Sequence, residues 1–274
     1  MARPCPALRK PLSASFFSTA TPRRPFPCNF FKQPSSTSLS RVKQTRSKSS
    51  GSFGHERRTA ANLFILKGFI AINVAVFGFN IYTGVQAKQG YVDNFRKYIQ
   101  NMTLNLRDFK NGYFWEPLTC IFAHADLMHI GFNMFTFWSL GRGLCMLPVT
   151  PGQFTFIVLG SGLAGSLSWL AQKQMRVQTG LESPNTPQRA MGFSGALMGT
   201  ISVVASFMPR EKIYFFGVVP VPLWLCVVGY GVYDGYYVNS EVSRTAHSGH
   251  LGGLAFGLAY YFLRLRRLRF PGSI

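Results

Sequence analysis

The sequence predicts an all-α polytopic membrane protein, a bundle of six transmembrane helices behind a basic leader. Three observations carry that expectation. Stretches of about 20 mostly apolar residues, the length a bilayer requires, recur near residues 63–82, 117–140, 151–171, 190–208, 212–233 and 246–263. Several are rich in glycine, as in "LGSGLAGSLSW" at 159–169. Glycine is a poor former of soluble helices, but in lipid it lets helix backbones approach closely. Finally, residues 1–58 are of another kind altogether, with no long apolar run.

The leader comes first in the chain. Residues 1–58 hold twelve Lys or Arg, one acidic residue (Glu56) and many Ser and Pro. Such a segment cannot bury enough apolar surface to offset the entropy of ordering it. Basic, Ser-rich and nearly free of acid is the composition of an organelle-targeting presequence. Much of the chain's formal charge of +20 would leave with it. A disordered nucleic-acid-binding arm is the alternative; no basic patch interleaved with aromatics supports it, and no nucleic-acid partner is expected. Three units follow: a presequence at 1–58, a six-span core at 59–264 and a basic tail at 265–274. The cysteines are widely spaced and form no C-x-x-C, so neither a zinc knuckle nor a disulfide framework is signalled.

Within the core, the connection at about 83–116 is the long one. Its stretch "VDNFRKYIQNMTLNLRDF" (92–109) places Val92, Phe95, Tyr98, Ile99, Met102 and Leu106 at 3–4 spacing. That pattern suits a helix lying in the membrane interface; an ordinary soluble loop fits as well. The fifth window carries Pro220 and Pro222, so its start is expected to be irregular or kinked. Six spans put both ends on one side with the 2–3 and 4–5 connections. That side carries Arg57, Arg58, Arg142, Arg210, Lys212, Arg264, Arg266, Arg267 and Arg269 against Glu56 and Glu211. The opposite side holds Asp93, Asp108, Glu116, Glu182, Asp234 and Glu241. The positive-inside tendency therefore turns the termini toward the matrix-like compartment.

Ionisable residues inside spans are costly and so mark candidate sites. Lys67, near a span end, can snorkel. Two groups remain. The second span reads "HADLMHIGFN", with His124, His129 and Asn133; the sixth reads "AHSGHLGGLAFG", with His247 and His250. His129 and Asn133 are four residues apart and share a helix face, whereas His124 lies about 140° away from His129, at the mouth of the span. In the fourth span "GFSGALMG" (192–199) sets Ser194 beside Gly195 and Gly199. Gly249, Gly253 and Gly257 run every four residues beside His250. Two such G-x-x-x-G stripes can pack face to face, which would hold an imidazole against a hydroxyl without a third residue to position it. A serine hydroxyl needs such a base to become a nucleophile. His129 and Asn133 could then donate to the oxyanion of acyl transfer. On its own, Ser194 reads as one more small residue at a helix contact.

Taken together, these motifs resemble the rhomboid family of intramembrane serine proteases. "HADLMHIGFN" is similar to the family's H-x4-H-x3-N, "GFSG" to its G-x-S-G and "AHSGHLGGLAFG" to its H-x2-G-x3-G, in the family's order along six core spans. The resemblance implies a dyad of Ser194 as nucleophile and His250, rather than His247, as base and then acid. It also implies an oxyanion site from His129, Asn133 and the Ser194 backbone N–H, with His124 as auxiliary, and no cofactor or metal. The implied partners are the lipid bilayer and single-span membrane proteins, cleaved where small or helix-weakening residues let the helix open. With the basic leader the resemblance is to the mitochondrial type, in the inner membrane, with a plastid membrane as the alternative.

Two departures stand out. Many members carry Trp-Arg in the first long loop, where this chain has Trp115-Glu116, and residues 1–58 hold no apolar run for the extra span often found in the mitochondrial branch. Asp126 or Asp234 remains open as a third member orienting a histidine. The competing readings are an inactive relative that binds or escorts membrane proteins, a metal enzyme using His124, His129, His247 and His250, and a transporter. Inactive branches usually lack the serine or histidine. Membrane metal sites usually recruit a carboxylate, and transporters of inverted halves show internal repeats, of which none is evident.

Overall fold

Apolar windows become helices because a backbone in lipid must satisfy its own hydrogen bonds, and the computed structural model is helical over most of the residues it describes, 50–215, 218–240 and 245–268. Most of the expected presequence (1–49) and most of the expected tail (269–274) lie outside those residues. The order is α1 (Ser50–Lys88), α2 (Val92–Met102), α3 (Leu106–Lys110), α4 (Glu116–Thr119), a 3-10 turn (Cys120–Phe122), α5 (Leu127–Met146), α6 (Pro151–Gln178) and α7 (Ser194–Phe207). A hairpin of β1 (Lys212–Phe215) and β2 (Val219–Pro222) leads into α8 (Leu223–Tyr237), and α9 (His247–Tyr260) runs on into a π turn (Tyr261–Leu265). Gly54–Lys88 and Pro151–Gln178 are long and apolar enough by themselves to cross a membrane, and α7 is a shorter apolar helix. Helix α1 already runs through residue 59, so the boundary drawn there on composition falls inside a helix. Charge does not stop a helix; Glu56, Arg57 and Arg58 are good helix formers.

Two expectations are corrected. The window at 212–233 is not helical throughout, which makes the fold helical with one small hairpin rather than all-α. Lys212 pairs with Pro222, Ile213 with Val221, Tyr214 with Pro220 and Phe215 with Val219, antiparallel. Pro220 and Pro222 lack the N–H a helix interior needs, yet each strand of a two-stranded hairpin has a free edge where Pro is tolerated. Helix α8 starts directly after Pro222. Likewise, 92–109 is two helices, not one. Thr103 and Asn105 are extended, and Leu104 exchanges two backbone hydrogen bonds with Ala190, both 2.9 Å. The Asn105 side chain then caps α3, accepting from the N–H groups of Arg107 and Asp108 at 3.0 and 3.2 Å.

Helices α6, α7 and α9 pack against one another most closely. A Cβ on Gly253 would overlap the Gly195 carbonyl oxygen, and one on Gly257 the Gly199 carbonyl oxygen. Helix α6 joins the contact through Gly165, where a Cβ would stand 2.6 Å from the Gly249 oxygen and 3.4 Å from the Gly195 Cα. Helix α1 runs antiparallel to α5. Asn62 donates to the Val149 carbonyl and Asn80 to the His124 carbonyl, each at 3.0 Å, so α1 fixes the two ends of α5. Helix α8 packs on the outside, against α7 and α9.

The connection before α5 is tied to the one before α7 by charge. Arg189 forms an ion pair with Asp108 and donates to the Thr103 hydroxyl at 3.0 Å. Glu116 is fully buried and accepts from the Asn105 N–H at 3.1 Å, with the Arg189 guanidinium 3.9 Å away. Burial pushes the Glu116 carboxyl up to about 7; Asp108 adds to the rise, while the Asn105 N–H and Arg189 oppose it.

Two outcomes follow. Gly253→Ala should cost about 1–3 kcal/mol or more through backbone overlap, whereas Gly229→Ala, with open space around it, should be neutral or stabilising in the same thermal melt. For Glu116, the folded chain holds the proton more tightly than the unfolded one. Its contribution is fully present below about 4.5 and is lost as pH rises through about 7. Glu116→Gln should therefore remove that part of the pH dependence and melt higher than wild type at pH 8.

Candidate active site

Ser194 is the first residue of α7, and what precedes it fixes its position. Gly192 has φ +129°, a backbone conformation that residues with a Cβ rarely adopt. Its N–H donates to the Cys120 carbonyl at 2.9 Å. The Phe193 ring is fully buried, its centroid 4.6 Å from that of Phe137 and 6.3 Å from that of Phe69. A hydrogen bond on one side and an aromatic anchor on the other thus hold the turn that presents the hydroxyl. Across the glycine contact, His250 lies in the first turn of α9, and its Nε2 is 2.8 Å from Ser194 Oγ.

His129 and Asn133 occupy the start of α5. Asp126 caps that helix, accepting from the His129 N–H at 2.8 Å. This gives Asp126 a structural place and leaves it away from His250's hydrogen bonds. A Cβ on Gly192 would stand 2.8 Å from both Cε1 and Nε2 of His129, so the ring lies directly against the turn that carries Ser194. Asn133 is buried and donates to the His129 carbonyl at 2.8 Å. His124 sits before α5, fully buried, its ring edge-on to that of His129 at 5.0 Å between centroids. A cavity of about 40 Å³ adjoins Ser194 and His250, with Trp169, Met191 and Gly249 among its walls. A second, of about 220 Å³, opens between α5, α7 and α8, lined by His129, Asn133, Met198 and Tyr230 among others.

One contact had been left open by the sequence. Asp234, 1% exposed, places Oδ1 and Oδ2 at 3.1 and 3.2 Å from His250 Nδ1, and Oδ1 at 2.6 Å from His247 Nδ1. The expectation that the glycine contact alone holds the imidazole is therefore corrected. The signal was an acid beside an apolar run, "YGVYDGYY", but the window ended at 233 and left Asp234 in a connection. Because the hairpin takes up 212–222, the helix is shifted along the chain and Asp234 falls inside it. The four histidines form two pairs, His124 with His129 and His247 with His250. The 2.6 Å separation is that of a hydrogen bond, shorter than the roughly 3.3 Å between two ligands of a tetrahedral zinc.

Residues 111–267, more than half of the chain, match the family model described as the rhomboid domain. The chain belongs to the rhomboid family. The fold of that family is polytopic, helical and membrane-embedded, which accounts for the apolar helices and for their exposed hydrophobic faces. The chain is 25% identical over 198 residues to "Rhomboid protein 1, mitochondrial" of Saccharomyces cerevisiae, covering 72% of this chain and 52% of that one. It is 26% identical over 181 residues to "RHOMBOID-like protein 12, mitochondrial" of Arabidopsis thaliana, covering 63% and 53%. It is 25% identical over 149 residues to "Rhomboid protease GluP" of Bacillus subtilis, covering 53% and 25%. The rhomboid chain thus spans about half the length of the two mitochondrial relatives, and a quarter of the bacterial one.

Gly192→Ala combines an unfavourable φ with a collision against His129. The His129 imidazole signals in NMR should therefore shift in Gly192→Ala, since the added Cβ would stand 2.8 Å from the ring, while the melting temperature moves far less than in Gly253→Ala. Unchanged His129 signals would contradict the close contact.

Proposed function

We propose that this rhomboid is an active intramembrane serine endopeptidase that cleaves single-span membrane proteins, with Ser194 as nucleophile and His250 as base. The observation that carries the reading is the 2.8 Å contact between His250 Nε2 and Ser194 Oγ, a half-buried pair, in a chain of this family.

The chemistry follows from the geometry. As Ser194 Oγ attacks the scissile carbonyl carbon, its proton passes to His250 Nε2, and the carbonyl electron pair moves onto oxygen. Helix α7 begins at Ser194, so its first N–H groups have no intrahelical acceptor and are free to meet that oxyanion, together with His129 and Asn133. His124, packed on the His129 ring, supports that side of the site. Collapse of the intermediate breaks the C–N bond, and the leaving amine takes the proton from Nε2. Water, deprotonated by the same nitrogen, then releases the acyl group and restores the serine. The 220 Å³ opening between α5 and α8 is where an unwound transmembrane segment would enter.

The names of the yeast and plant relatives and the acid-poor leader support a mitochondrial membrane. We place the protein in the inner membrane as a six-span protein, with residues 1–58 as presequence, 59–264 as protease core and 265–274 as basic tail. No metal or cofactor enters the scheme.

Turnover of a single-span substrate in liposomes tests the reading. Ser194→Ala and His250→Ala should each abolish cleavage while remaining folded. His129→Ala and Asn133→Ala should each lose about 10²–10³ in kcat, because the remaining donors still share the charge. Cleavage near the wild-type rate by Ser194→Ala would overturn the assignment.

A further inference from the structure

Asp234 is an almost wholly buried acid in a run of aromatic, aliphatic and glycine residues. A carboxylate there is costly unless its oxygens are fully hydrogen-bonded. Both donors are imidazole nitrogens on α9: His247 Nδ1 at 2.6 Å, and His250 Nδ1 at 3.1 and 3.2 Å from the two oxygens. An ionised carboxylate only accepts, so each Nδ1 carries the hydrogen. In a neutral His250 that leaves Nε2 bare, facing Ser194 Oγ at 2.8 Å. This is the tautomer a general base requires, and the glycine contact alone does not select it.

We infer that Asp234 is a positioning residue that completes a Ser194–His250–Asp234 triad, one member from each of α7, α9 and α8. The inference rests on the protease reading above and deepens it. When the serine proton moves to Nε2, the Nδ1 hydrogen stays where it is, and Asp234 faces the resulting imidazolium with a negative charge. No proton passes to the carboxylate. When the leaving amine takes the Nε2 proton, His250 returns to the same tautomer.

The surroundings hold the carboxylate in place. His247 occupies its Oδ1 and is itself packed against the rings of Tyr233 and Tyr237, at 5.7 and 5.8 Å. Gln172 of α6 donates to the Val238 carbonyl just after α8 and accepts from the Ser248 hydroxyl of α9 at 2.7 Å. The end of α8 and the start of α9 are thus tied together through a third helix. His247, which the resemblance left without a role, steadies the acid rather than touching the serine.

Two measurements test this. The first is 15N NMR of histidine-labelled wild-type protein in detergent, with the His250 signals assigned by their loss in His250→Ala. Protonated Nδ1 and bare Nε2 are expected, and a dominant Nε2–H tautomer would overturn the inference. This reading needs no Asp234 variant to fold. The second compares steady-state turnover. Asp234→Asn should lower kcat by about 10²–10⁴, with KM within about threefold and the melting temperature retained. Asp234→Glu should restore part of the rate, and His247→Gln should stay within about tenfold of wild type. An Asp234→Asn kcat within about threefold of wild type, or an effect confined to KM, would remove Asp234 from the triad. If Ser194→Ala were inactive in the same assay, the Ser–His reading would survive that result; an active Ser194→Ala would instead sink the reading underneath.

Discussion

Everything at this site depends on how closely α7 and α9 approach. Side chains normally hold helices 8–10 Å apart, and the glycines along this seam leave no side chain between the two backbones. Here the Gly253 Cα lies against the Gly195 carbonyl and the Gly257 Cα against the Gly199 carbonyl, with Gly165 of α6 closing the third side. Lipid offers little hydrophobic drive for helix association, so this contact must rest on shape. The contact between Ser194 and His250 lies at the end of that glycine stripe, where the two helices begin.

The second constraint is polar. Several polar groups around the site are held by other groups of the protein. The Gly192 N–H is taken by Cys120, the Asn133 amide by the His129 carbonyl, the start of α5 by Asp126, and the two Nδ1 hydrogens of α9 by Asp234. Away from the glycine contact, the Arg189–Asp108 pair and the buried Glu116 lock the long connection onto the segment that leads to Ser194. Trp115 is followed here by an acid, Glu116, which the Arg189 guanidinium approaches from the other connection. The position of the serine is thus set by residues as distant in sequence as Leu104 and Cys120.

What was legible in the sequence is what is local. Apolar windows marked where helices stand, because a helix in lipid needs a continuous apolar run. The four-residue spacing of Gly195 and Gly199, and of Gly249, Gly253 and Gly257, marked the faces that meet, and the family resemblance pointed to His250 rather than His247. Three features escaped because they are not local. The pairing of Leu104 with Ala190, which breaks the interfacial segment in two, joins residues 86 apart. The hairpin at 212–222 depends on two prolines finding strand edges, and only once it forms does Asp234 enter a helix. The share of α6 in the glycine contact was hidden in a helix whose small residues could have faced any neighbour.

The central claim is that close packing of α7 on α9 makes one serine nucleophilic among the many in this chain. The most direct measurement is tandem mass spectrometry of the intact, membrane-reconstituted protein after treatment with a fluorophosphonate. A single phosphonyl adduct on Ser194, absent when the protein is first unfolded in denaturant, is the predicted result. An adduct distributed over several serines, or none on Ser194 in the folded protein, would contradict the account.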